Sequence, residues 1–145
     1  MSASLRLTLL SLLVAWSCQS APAEEPAAEA DGLAAPAVHE LSSNSGDYRI
    51  EYTAYPDPIP LNEPFELVVR VLGPDGAPAP NVELLVDAAM PAHRHGMNTA
   101  AKVEPLEDGR FRVQGMLLHM SGHWELYFDV SQGGATDRAQ FDLRF

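Results

Sequence analysis

The chain has 145 residues, with nine basic and twenty acidic side chains and a net charge of −11. That length suits one domain. The charge excludes nucleic acid as a partner, because no basic face is present to meet phosphates, and an anionic bilayer surface would repel the domain. The one cysteine, Cys18, lies near the amino terminus. The folded part is therefore expected to have no disulfide, no thiolate metal site and no cysteine nucleophile.

Residues Met1 to Trp16 carry one charge, Arg6, followed by the apolar run Leu7 to Trp16. This is the n-region and h-region pattern of a secretory signal, and the run is shorter than the ~20 residues that span a bilayer. Two processing routes fit. Ala15-Trp16-Ser17-Cys18 resembles the lipobox of bacterial lipoproteins, which would end the signal at residue 18 and lipidate Cys18. Ala21-Pro22-Ala23 offers an ordinary A-x-A cleavage instead. A lone cysteine closing an h-region favours the first. The expected location is extracytoplasmic, in the periplasm or cell envelope, with a lipid anchor to the membrane.

Residues 19–46 are rich in Ala, Pro and Glu, and Glu24, Glu25, Glu29, Asp31 and Glu40 stand there without a base. Such a stretch buries too little apolar surface to offset ordering, and it reads as a disordered tether.

From 47 to 145 short apolar runs alternate with turn signals, and none has a helical period. Tyr48 to Tyr55 alternates and is broken by Pro56-Asp57-Pro58. Phe65 to Leu72 follows and closes at Gly73-Pro74-Asp75-Gly76. Val82 to Met90 is the third strand. A weaker one spans Ala100 to Glu104. Glu107-Asp108-Gly109 is a hairpin-type turn into Phe111 to His119. Trp124 to Val130, the Gly133-Gly134 turn and a last run through Ala139 and Phe145 complete the chain. Six to seven strands of this spacing predict an all-β, immunoglobulin-like sandwich with Trp124 in its core.

The chemistry concentrates in two windows. Of five histidines and five methionines, all but His39 and Met1 fall in Met90–Met97 or Met116–His123. Both windows follow strand ends, so a sandwich could bring them together at one pole. Thioether sulfur and imidazole nitrogen together suit Cu(I). Calcium and magnesium prefer oxygen, and zinc would take the histidines alone. His93-x-His95, with Met97 beyond, would share one side of an extended segment. The candidate ligands are, in order, His93, His95 and Met97; His119 and Met120; then His123, Met116 and Met90. Methionine packing in the core is the competing reading for each Met. No catalytic constellation is present. Ser121 lies near His119 and His123 but lacks an elbow motif, and no Gly-rich phosphate loop occurs. The chain is expected not to be an enzyme.

The Gly73–Gly76 turn, Met90-Pro91, the Asp108-Gly109-Arg110-Phe111 turn and Gly122-His123-Trp124-Glu125-Leu126 together resemble the YtkA-like domain, to which FixH-type proteins are related. The resemblance covers about Tyr52 to Val130. It implies a small extracytoplasmic Ig-like sandwich, often membrane-attached, with some members near copper handling and cytochrome oxidase assembly. The Met/His set also resembles, in its chemistry alone, that of periplasmic copper carriers. A Cu(I) carrier or buffer that passes its ion to an envelope partner is the leading expectation. A metal-free envelope interaction module is the alternative.

Overall fold

The computed structural model describes residues 36–145. The expected signal peptide, Cys18 and most of the expected tether lie outside them. Nine strands form two antiparallel sheets: β1 His39–Ser42, β2 Arg49–Tyr55, β3 Phe65–Leu72, β4 Glu83–Met90, β5 His95–Gly96, β6 Lys102–Pro105, β7 Arg110–Met116, β8 His123–Gln132 and β9 Ala135–Arg144. One sheet runs β1-β2-β3-β7-β6 and the other β5-β4-β8-β9. The all-β sandwich expected from the sequence is what forms.

Alternation explains which face packs, because successive side chains of a strand point to opposite sides of the sheet. Ile50, Tyr52 and Ala54 of β2 face inward with Phe65, Leu67, Val69 and Val71 of β3. The second sheet answers with Leu84, Val86, Ala88 and Met90 of β4 and Trp124, Leu126, Phe128 and Val130 of β8. A slip of one residue would turn either set to solvent, so the apolar pattern fixes the register. Two hairpins are closed by pairs of left-handed residues, Asp108 and Gly109 (φ 58° and 68°) and Gly133 and Gly134 (φ 59° and 85°). Positive φ at both positions gives the turn twist that matches paired strands.

Three expectations need correction. First, the tether does not extend to residue 46, because His39–Ser42 pairs with β2 as an edge strand. The His39 ring stacks on Tyr52 at 4.8 Å, and Leu41 packs against the core. Asp57 accepts a hydrogen bond from the Ala37 amide at 2.9 Å and lies 3.6 Å from His39 Nε2. Two partly apolar side chains thus gain enough burial to order a segment whose composition reads as disordered. Second, the strand from Phe111 stops at Met116 rather than His119. Gly115 takes φ +81°, and a Cβ there would lie 2.7 Å from the Ala100 carbonyl oxygen. The chain then leaves the ladder and buries Leu118. Third, His93 to Met97 is not one extended segment, because a two-residue strand, β5, folds back on β4, with Met90 opposite His95 and Ala89 opposite Gly96.

The connections that matter for chemistry gather at one pole. The β4–β5 loop, the β5–β6 crossover and the β7–β8 crossover all lie there, beside the carboxyl ends of β4 and β7 and the start of β8.

Candidate metal centre

The β4–β5 loop is a single tight turn. The Met90 carbonyl accepts hydrogen bonds from the amides of His93 at 3.0 Å and Arg94 at 2.9 Å, and Arg94 takes φ 58° to reverse the chain. His93 therefore stands exposed on a turn rather than in the expected extended segment. The turn still leaves its ring centroid 5.9 Å from that of His95. His95 shares the inward face of the ladder with its cross-strand partner Met90.

The second window reaches the same place. The His119 ring lies 5.3 Å from His95, centroid to centroid, and 5.5 Å from Trp124. Trp124 also presents an edge to His95 at 6.0 Å. The Leu117 amide points to Met97 Sδ at 3.5 Å, so the two windows touch directly. The indole N–H of Trp124 donates to the Met120 carbonyl at 2.8 Å, which ties that loop to the buried ring. Met120 is exposed.

Two nitrogens here have particular significance. His95 Nδ1 lies 2.9 Å from the carbonyl oxygen of Gly96. A carbonyl can only accept, so Nδ1 carries a proton, and in the neutral ring that leaves the lone pair on Nε2, the arrangement of a ligating histidine. His119 Nδ1 is shielded from solvent and has no hydrogen-bond partner. An unmet buried nitrogen costs free energy and calls for an explanation.

The fit to a shared ion is a matter of spacing. Two imidazoles bonded to one tetrahedral metal at ~2.0–2.1 Å hold their ring centroids about 5 Å apart. The His95–His119 separation is close to that value. Met97, whose sulfur meets the Leu117 amide, and Met120, next in sequence to His119, are the methionines of the two windows outside the core. Met90 and Met116 are fully buried and belong to the core, as the packing reading had it.

His123 does not join this cluster. It alternates with Trp124 and so stands on the outer face of β8, where its Nε2 lies 2.5 Å from Asp142 Oδ1 on β9. Among the described residues, His123, Glu125 and Asp142 bring one ligand atom each to within 4.8 Å of one another. They form a group of three able to hold a metal ion. Tyr127 donates its hydroxyl to Glu125. Burial, then that hydrogen bond and the Glu125 charge, push the Tyr127 hydroxyl up to about 12. Glu125 and Asp142 are residues that sequence reasoning missed. The period of two from His123 to Glu125 was available, but Asp142 needed the β8–β9 register.

The described fold is thus a two-sheet β-sandwich that collects imidazole and thioether groups at one pole. The YtkA-like family profile matches residues 41–129, and the chain belongs to that family. No curated protein and no solved structure matches the chain.

Proposed function

We propose that this YtkA-like domain binds Cu(I) at the pole formed by the two windows and serves as an extracytoplasmic carrier or buffer, not an enzyme. The supporting observation is the packing of His95 and His119 against Trp124, with one imidazole nitrogen left unpartnered and another fixed in its ligating tautomer. His95 and His119 would supply nitrogen, and Met120 and Met97 sulfur. His93, exposed on the turn beside His95, would take part at the rim. Uncharged soft donors favour a monovalent soft ion over harder divalent ones. The exposure of His93 and Met120 suits transfer to an envelope partner by ligand exchange. Lipidation at Cys18 would hold the domain at the membrane surface.

Titration of the purified chain with Cu(I) under reducing conditions, against a competing chelator, tests this reading. One ion per chain is expected, with affinity lowered at least tenfold by His95→Ala or His119→Ala. Affinity unchanged in both variants would remove the proposal and favour a metal-free docking module.

A further inference from the structure

The other face of β8 carries donors of different chemistry. We propose that His123, Glu125 and Asp142 form a second, independent site for a borderline divalent cation of the zinc class.

The β8–β9 ladder runs without a break from His123↔Arg144 to Gln132↔Ala135 and sets Glu125 directly opposite Asp142. Like charges in that relation are destabilising, and a structure keeps them only where something compensates. Among the described residues, the one cationic group within ion-pair distance of either carboxylate is His123, which is positive only when protonated. Two guanidiniums share this face of β9: Arg144, opposite His123, makes no ion pair with either carboxylate among the described residues, and Arg138 is engaged elsewhere. Arg138 bonds Asp129 through both Nε and an Nη and lies over the Tyr127 ring at 4.2 Å. Two carboxylates therefore face each other across a rigid ladder, with His123 on Asp142 and the Tyr127 hydroxyl on Glu125 as their side-chain partners.

A divalent cation resolves that conflict directly. It would take one imidazole nitrogen and two carboxylate oxygens, a set with no sulfur, which suits Zn(II) and does not suit Cu(I). Bonds of ~2.0–2.2 Å require the donors to be about 3.5 Å apart. Donor atoms already within 4.8 Å need only rotamer adjustment, not backbone movement. Tyr127 supports the site by holding the second Glu125 oxygen, as outer partners do around metal-binding carboxylates. Entry is open, since the Asp142 side chain is 55% exposed. The site depends on no part of the copper reading, because Trp124 and His123 are successive residues on opposite faces.

The test is calorimetric titration of the full chain with a zinc salt alone. The expected result is one Zn(II) per chain in the His95→Ala/His119→Ala double variant. Binding should weaken at least tenfold in Asp142→Asn and in His123→Ala, and both variants should keep Cu(I) binding. Asp142→Asn is an exposed edge-strand change, and a melt with unchanged cooperativity confirms its fold. Glu125→Gln supplies a second variant that should weaken Zn(II) in the same way. No Zn(II) binding by the parent chain, or Zn(II) binding lost in the double variant and kept in Asp142→Asn, would overturn the proposal and leave the triad an ion pair.

Discussion

Replacing His119 with Phe separates the contribution of this residue to the apo fold from its role toward metal. Its Nδ1 is shielded and unpartnered, while the ring lies 5.3 Å from His95 and 5.5 Å from Trp124. Leaving a buried polar atom unmet costs about 1–3 kcal/mol. Phenylalanine keeps an aromatic ring at the same contacts and removes that atom. The half-buried position leaves room for the slightly larger ring, so overpacking takes back only part of the gain. A net stabilisation of about 1 kcal/mol is expected, equal to a rise of about 4 °C in Tm for a domain near 100 residues. Cu(I) affinity should fall at least tenfold in the same protein. Thermal melts with and without a Cu(I) chelator, beside a competition titration, measure both. The reasoning is refuted by a variant that melts several degrees lower than the parent while binding Cu(I) as tightly. That outcome would mean the nitrogen is satisfied in the apo protein and idle toward metal.

Gly115→Ala and Gly133→Ala share a left-handed backbone, which costs an alanine roughly 1–2 kcal/mol. Gly133 has open space around it, whereas a Cβ at Gly115 would lie 2.7 Å from the Ala100 carbonyl oxygen. Denaturant unfolding should show Gly115→Ala the more damaging by about 1 kcal/mol or more, and equal losses would show that the two crossing segments separate easily. The Tyr127 hydroxyl is pushed up from the ordinary tyrosine value to about 12. A raised folded value means that its stabilisation is complete below about pH 10 and is lost as pH rises through 12. Tyr127→Phe should flatten the alkaline decline in Tm, and an unchanged slope would contradict the assignment. Hydrogen bonds from the Ser43 and Ser45 side chains hold Asp137 below the usual carboxylate range. Its contribution is therefore present above that range and is lost as pH falls through the lowered value. Asp137→Asn should make unfolding less acid-sensitive below about pH 4, as read by circular dichroism during acid titration.

The fold class was legible because the alternation that predicts strands also buries them. Ile50, Tyr52, Leu67, Val69, Val86 and Phe128 could take the core face only as a sandwich would have them. The hairpin at Asp108-Gly109 was legible for the same local reason, since both residues tolerate positive φ. The clustering of histidine and methionine in two windows was a property of the sequence as well.

Which of those side chains meet was a tertiary outcome. Strand alternation turns His123 outward and Trp124 inward, so neighbours in sequence serve opposite faces. Met90 and Met116 end buried because their strands point them at the core. His119 reaches His95 because β7 ends at Met116, one residue past the left-handed Gly115, and the chain crosses to the other sheet. Glu125 and Asp142 face each other through a strand register, and the docking of His39 depends on Tyr52 and Phe141 from two different sheets. Local pattern fixes what a residue prefers. Pairing between distant strands fixes what it touches, because those contacts join positions tens of residues apart that no local preference relates.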